Sequence, residues 1–565
     1  MRIKFLGATS HVTGSCSWLY DEEYDTQFLV DCGMYQGAMV EHQNTRKPPF
    51  DPKDIDFILL THAHLDHCGL IPKLVTEGFK GKVYCTDATA KLAKIVMEDA
   101  GNLSGLYNKG VVASVNFISV DLDKGFKWGK PIAIKNGISA TFLRSSHILG
   151  AASISVSWMT DKLNTFLFSG DIGNNTAQVS YLPLMKANMY PFANTDFMLV
   201  ESTYGGKIRD SEFKSKENRL KALHKVFSKT IFEKTGSVVI PTFSIHRSQE
   251  IFIDIINWLY GDEMQSLLTQ RMEEREKQAH QRLHILFHSP MMAKAFEIYS
   301  KQLVKKITTK NGDTHQYMEN NVFRVLNLDD DESIEACFST YKENDQHEQR
   351  IKLPDHVINI KSKIDKKTKS RYDIVVASSG MCESGCIVKY LDERKNDPKH
   401  TIILSGYQPP GGEGEKFKSI AERVESGEMI DDHAEVYDLS SYYSGHADQS
   451  VLIDYIFNLN GFEKTNDHRT TVFINHGNPQ SKDELQKLVE DIASNNDPEK
   501  RSVDKVYVPR NIDQWFNLDT REYETFSIET SIEQADSNDN LAGIHTELKR
   551  FNNNFERYLE LIEKQ

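Results

Sequence analysis

Residues 61–69 read THAHLDHCG, which puts three histidines and an aspartate within six positions. The stretch follows an apolar run, FILL, so it reads as the end of a buried strand and the turn after it. A chain that spends this much metal-binding chemistry on one strand end has to fold so that other ligands meet it there. His62 and His64 stand two apart, so their rings can point to one side of the strand and share a cation. Asp66 and His67 follow where the chain turns into DHCGLIPKL, aimed at a second position. Imidazole and carboxylate together suit zinc, with manganese or iron as weaker fits. On spacing alone, a cluster of surface histidines is the alternative.

The surrounding pattern supplies such a fold. Up to about residue 204, short apolar runs close on Gly, Asp or His: IKFLG, FLVDCG, FILLTHAH, FLFSGDIG, FMLVEST. These read as buried strands whose last residues reach a common edge, and helical stretches such as ATAKLAKIVMEDAGNL between them make a layered α/β domain. A second α/β pattern begins with SVVIPTFSIHRSQEIFIDIINWLY and continues through ILFHSPMMAKAFEIY, YDIVVASSGMCESG and HTIILSGYQ. A charged helical insertion is expected at about 262–284, and the acidic stretch from Leu326 to Arg350 reads as a surface segment. KSKIDKKTKSR reads as a basic hairpin tip, either solvated or touching RNA. Beyond about residue 512, Ile544, Leu548, Phe551, Phe555, Tyr558 and Ile562 alternate spacings of four and three. That is a helical stripe that can dock on its own domain or pair with a second copy or a partner protein.

A length of 565 residues calls for at least two domains, and 39% hydrophobic content is enough to bury their cores. The first residues hold no apolar stretch of signal-peptide length and no run approaches a membrane span, so a cytoplasmic protein with no membrane partner is expected. Seven cysteines, none in a CxxC pair, read as reduced thiols rather than a disulfide framework. The net charge of −14 argues against non-specific adhesion to nucleic acid. A polyanionic substrate would therefore depend on local cations and bound metal.

Further ligand types stand at the ends of other expected strands: His147 in RSSHILGAA, Asp171 in FLFSGDIGN and His476 in VFINHGNPQ. Each alone is more often a capped, hydrogen-bonded loop residue than a ligand; jointly they complete a binuclear site. Asp31 in FLVDCG, the HxHxDH block, His147 and Asp171 resemble the ordered motifs of the metallo-β-lactamase fold. Glu201 in VESTYGG, His446 in YYSGHADQS and His476 in INHGN resemble the additional motifs of the β-CASP nucleases, the branch containing the polyadenylation endonuclease and bacterial RNase J. IPTFSIHRSQE, SPMMAKAFEIY, ASSGMCESG and ILSGYQ resemble its framework stretches, so the likeness covers roughly residues 1 to 510.

The resemblance implies an α/β architecture: an αββα metallo-β-lactamase sandwich (1–205 and 434–512) with an inserted α/β β-CASP domain (206–433), followed here by a C-terminal extension (513–565) with an amphipathic helix. It implies that His62, His64 and His147 hold one zinc, that Asp66, His67 and His476 hold the other, that Asp171 bridges, and that Asp31 orients a ligand histidine from behind. No leading nucleic-acid-binding domain of the archaeal type is expected. Two such metals acidify water and neutralise charge at phosphorus, which is the chemistry of phosphodiester hydrolysis. His446 is then the candidate proton donor to the leaving oxygen, with Glu201 holding it protonated and Asp66 completing the catalytic set.

Ser378, Ser379 and Gly380, read as lying between a strand and a helix start, are candidate phosphate contacts, with a capped helix end as the alternative. Arg247 is a candidate phosphate clamp, or else a surface arginine. Departures from the family pattern, His246 before the arginine, His288 before SPM and Lys389 after the SSGM loop, touch none of the expected ligands. The expected activity is a zinc-dependent ribonuclease on single-stranded RNA, since His at the last motif goes with RNA in this family. A DNA nuclease, a small-molecule hydrolase and a non-catalytic nucleic-acid-binding scaffold are the alternatives.

Overall fold

The computed structural model describes residues 1–37, 41–174, 194–260, 283–318, 330–339, 357–361, 372–409, 411–458, 468–495 and 502–524. The helical insertion up to residue 282, the basic tip from 362 and the heptad stripe at 544–562 lie outside the described residues.

Two sheets face each other in the first compact unit, which takes in Ile3–Asp513. One runs Arg2–Phe5, Ser17–Asp21, Thr26–Val30, Ile55–Leu59, Lys82–Cys85 and Phe117–Ser119 in spatial order. The other runs Ser502–Tyr507, Arg469–Asn475, Phe197–Glu201, Leu163–Phe168, Ala152–Met159, Ile138–Arg144 and Pro131–Lys135. Their inner faces are joined by aromatic packing: Phe5 of the first sheet lies 4.8 Å from Phe473 of the second between ring centroids, and within the second sheet Phe166 lies 5.8 Å from Phe473. Helices cover the outer faces. Leu452 and Ile456 of Gln449–Phe457 and Leu485 and Val489 of Pro479–Ser494 share one buried cluster with Met198, Val200, Val472 and Ile474. The apolar runs read from the sequence are these strands, and because both faces are covered the runs are nearly continuous rather than alternating.

A third sheet is wholly parallel, in the order Val357–Lys361, Leu283–His288, Ile374–Ala377, Val238–Pro241, Thr401–Leu404 and Glu435–Asp438. It runs on past the boundary expected at about 433, because Glu435–Asp438 pairs with Thr401–Leu404 through the whole length of the strand. Parallel strands put every following loop on one edge of the sheet, where sites form. The stretch read as an acidic surface segment contains a docked helix, Asp331–Ser339, whose buried Phe338 packs with tilted rings against Phe252 (5.7 Å) and Phe296 (6.1 Å). Its acidic residues hid the apolar pair at positions 334 and 338, one helical turn apart. A second compact unit begins at Gln514 and contains, among its described residues, a short antiparallel pairing of Phe516–Asn517 with Glu522–Tyr523.

Candidate metal centre

Seven side chains from strand ends far apart in sequence converge at one end of the two-sheet sandwich. His62 and His64 follow Ile55–Leu59, Asp66 and His67 sit on the short helix Leu65–Cys68, His147 follows Ile138–Arg144, Asp171 follows Leu163–Phe168, and His476 follows Arg469–Asn475. Backbone hydrogen bonds between those ends hold them in step: Asp31 N–H donates to the Leu59 carbonyl at 2.9 Å, Ala152 N–H to Thr61 at 3.0 Å, and Ser202 N–H to His476 at 3.1 Å.

The seven divide into two groups that meet on Asp171. On one side, His62 Nε2 and His147 Nε2 lie 3.1 and 2.9 Å from His64 Nδ1, and both lie 3.4 Å from Asp171 Oδ2. On the other, His67 Nε2 lies 3.0 Å from His476 Nε2 and 3.2 Å from Asp171 Oδ1, while His476 Nε2 lies 3.4 Å from Asp66 Oδ2 and 3.6 Å from Asp171 Oδ1. Asp171 Oδ1 is buried and has no hydrogen-bond partner. A buried carboxylate oxygen left without a proton donor, with ring nitrogens gathered around it, is costly unless a cation sits among them. The donor set of nitrogens and carboxylates fits that need.

The far ring nitrogens are tied down in a way that frees the near ones. His67 Nδ1 donates to Asp31 Oδ2 at 2.7 Å, and Asp31 is itself held by Thr61 N–H at 2.8 Å and the Thr61 hydroxyl at 2.8 Å. His147 Nδ1 donates to the Gly445 carbonyl at 2.7 Å. Each such bond fixes the tautomer and turns an Nε2 lone pair into the centre. Burial pushes the His62 imidazole down to about 3 and that of His64 down to about 4, and pushes His147 well below its ordinary value, so these rings are neutral and free to offer a lone pair. His67 goes the other way: burial opposes its charge, but Asp171 and Asp31 together raise it. Burial works to raise the Asp66 and Asp171 carboxyls, yet the neighbouring histidines hold both below the usual carboxylate range.

Asp31, Ser146 and His476 all take left-handed backbone angles, with φ of 60°, 58° and 52°. Non-glycine residues rarely do so, and such angles gather where a side chain must be aimed. No sequence pattern announces them.

Beside this centre, His446 Nδ1 lies 3.0 and 3.2 Å from the two oxygens of Glu201, and Glu201 Oε1 also accepts from Ile172 N–H at 2.6 Å. His446 Nδ1 stands 4.0 Å from Asp171 Oδ2. Burial works against charge on His446, but Glu201 outweighs it and the imidazole is raised to about 9. Its loop is braced by residues the sequence did not single out. Asn174 Nδ2 donates to the Ser444 carbonyl at 2.9 Å and also reaches the His446 carbonyl. Behind it, Tyr443 OH donates to Asp254 Oδ2 at 2.9 Å, Arg219 Nε lies 2.8 Å from the same oxygen and Arg219 Nη2 donates to Oδ1 at 2.9 Å, all buried.

Two sequence expectations need correcting. Ser378 and Ser379 do follow a strand, Ile374–Ala377, but the helix starts only at Ile387. Ser379 N–H is spent on the Ser384 carbonyl at 3.1 Å, because the loop closes on itself rather than opening into a helix end; Gly380 is buried in the same loop. Arg247 is 8% exposed, not a surface residue, and its Nη1 is bound to Glu250 at 2.6 Å, so it is no open two-armed fork. The arginine still belongs to the wall of the centre: a side chain added at Gly445 would meet Arg247 Nη2 at 3.6 Å and His147 at 3.7 Å.

Comparison with known proteins matches two separate stretches of the chain. Residues 12–203 match the Metallo-beta-lactamase superfamily and residues 262–417 match the Beta-Casp domain. Ribonuclease TTHA0252 of Thermus thermophilus is 29% identical over 462 residues, covering 81% of this chain and 90% of that protein. The transcription termination factor FttA of Methanococcus maripaludis is 27% identical, over 81% of this chain and 65% of its own length, so the chain spans about two thirds of that relative. An RNase J-like protein of Methanocaldococcus jannaschii is 27% identical over 80% of this chain and 89% of its own. No helix among the described residues is long and apolar enough to cross a membrane.

Proposed function

We propose that this chain, which belongs to the metallo-β-lactamase nucleases carrying a β-CASP domain and is a metal-dependent nuclease, hydrolyses single-stranded RNA with two zinc ions. The observation that carries the two-ion reading is Asp171: its two oxygens face two separate sets of ring nitrogens, and the buried Oδ1 has no proton donor. His62, His64, His147 and Asp171 would hold one zinc, and Asp66, His67, His476 and the same Asp171 would hold the other. A nitrogen-rich set of this kind suits zinc ahead of manganese. When bound, the cation pair lowers the pKa of water and offsets charge growing on the phosphate oxygens.

The protein's own groups do the rest. His446 gives a proton from Nε2 to the leaving oxygen, while Glu201 accepts from Nδ1 and keeps the ring protonated near neutrality. Asp31 holds His67 in the tautomer that presents Nε2. The hydroxyls of Ser378 and Ser379 beside Gly380, together with the Nη2 arm of Arg247, provide polar contacts for flanking phosphates. His476 at the last motif and the names of the relatives support RNA over DNA.

The test is incubation of wild-type protein and Asp66→Ala/His67→Ala with RNA and matched DNA labelled at either end, alongside metal analysis. The wild type is expected to hold two zinc ions and cut RNA, and the double variant to do neither. Cleavage that survives in the variant, or DNA cut as well as RNA, sinks the proposal. Mononucleotides released from a 5′ phosphate would mark an exonuclease, and discrete internal products an endonuclease.

A further inference from the structure

Phe243 stands on the loop after Val238–Pro241, at the edge of the parallel sheet where all the strands end, and it is 40% exposed. An aromatic ring left in water on a sheet edge of an otherwise well-buried domain needs a reason. Its underside is a bed of glycine. A side chain at Gly406 would meet Phe243 Cε2 at 3.3 Å and Cδ2 at 3.8 Å, and one at Gly380 would meet Phe243 N at 3.1 Å and Cδ2 at 3.3 Å. These glycines come from the loops after the two neighbouring strands, Thr401–Leu404 and Ile374–Ala377. The loops are tied together by Gln408, whose amide donates to the Gly380 carbonyl at 2.9 Å and to the Gly406 carbonyl at 3.1 Å. Tyr407, next to Gly406, is 59% exposed.

The ring's place relative to the chemistry follows from the chain. Phe243 leads through the buried Ile245 and His246 to Arg247, whose Nη2 flanks Gly445 and His147 at the metal centre. Four residues of chain reach at most about 14 Å. The ring is therefore within a few nucleotides of a phosphate held at that centre. What fits one face of an isolated ring, rather than a broad apolar patch, is another flat π-system; beside a phosphodiester site that is an unpaired nucleobase.

We propose that Phe243, seated on Gly380 and Gly406 with Tyr407 alongside Gly406 in the chain, is a stacking platform for an unpaired base of the RNA whose scissile phosphate lies at the metal centre. This rests on the nuclease reading above. It gives the preference for single strands a physical origin, because a base still paired and stacked in a duplex has no face to offer.

The test uses full-length, zinc-loaded protein and single-stranded RNA carrying one 2-aminopurine moved along the chain position by position. In the wild type the probe's fluorescence is expected to be quenched at one register relative to the cut. Phe243→Leu should lose that quenching and raise KM for single-stranded RNA roughly five- to a hundredfold, and Phe243→Trp should restore both. Unchanged KM and quenching in Phe243→Leu overturn the platform. So does a raised KM when no register is quenched in the wild type, since that assigns the ring to loop folding. If Phe243→Leu does not fold, Tyr407→Leu is read the same way, with loss of the quenching at the same or an adjacent register expected and none overturning the proposal. Wild-type protein that does not cut RNA at all refutes the nuclease reading itself, which the unlabelled control shows separately.

Discussion

The metal centre and the edge of the parallel inserted sheet are both made from loops at strand ends, yet they solve opposite problems. At the centre, acceptor atoms are crowded together and buried, so His62 is fully covered and Asp171 Oδ1 has no donor. At the sheet edge, the loops are spaced by glycine and leave Phe243 and Tyr407 in water. One end gathers nitrogens and carboxylates close enough to share a cation; the other presents a flat ring to solvent. Between them runs the loop of His446, braced from one side by Asn174 and from the other by the Tyr443, Asp254 and Arg219 network.

The comparison can be broken most severely at its shared carboxylate. Asp171→Ala should cost more than about a thousandfold in RNA cleavage, because both cations lose a ligand and several kcal/mol of charge stabilisation go with them. Zinc analysis should show fewer than two ions per chain; a variant that keeps both ions and most of its activity would show that Asp171 does not bridge. Next comes the brace. Asp254→Ala removes the carboxylate that both Arg219 Nε and Nη2 reach in a buried setting, which should destabilise the fold by about 3–5 kcal/mol in denaturant titration. Replacing both residues with Leu and Met should cost much less, and equal losses would mean the pair does not act as one unit.

A smaller effect belongs behind the ligands. Asp31→Asn keeps the left-handed backbone, which Asn tolerates, but gives up the charge facing His67; zinc affinity should fall about 10- to 100-fold in a chelator competition. The smallest change sharpens the role of the middle loop. His446 is raised from its ordinary 6.5 to about 9 by Glu201 acting against burial. A raised histidine contributes its stabilisation fully below its unfolded value and loses it as pH rises through the folded one. Cleavage that needs the protonated ring should thus fade as pH rises towards 9, and Glu201→Gln should move that alkaline limb to lower pH. A limb that stays in place would remove Glu201 from the role.

Much of the site could be read in advance where the chemistry is local. The HxHxDH block reads as a cation-binding group, and apolar runs ending in Asp, Glu or His mark strands whose ends meet at one edge. The misreadings share a cause. Ser378, Ser379 and Gly380 resemble a helix start, but whether a backbone N–H is free depends on the carbonyl across the loop, here that of Ser384. Arg247 looks like an exposed fork until Glu250, three residues on along a helix, takes one arm. The acidic segment hides a docked helix because only Phe252 and Phe296 reveal what Phe338 packs against.

By itself, the sequence determined which atoms this protein can offer a metal and in what order along the chain, because ligand type and strand periodicity are properties of single residues and their near neighbours. Only the tertiary structure decided that Asp171 faces two sets of nitrogens at once, that Asn174 and Tyr443 hold the loop of His446, and that two glycines lie under Phe243. Those facts depend on which strand ends adjoin in space, and pairing between segments hundreds of residues apart is fixed by how whole sheets and helices pack rather than by any local pattern.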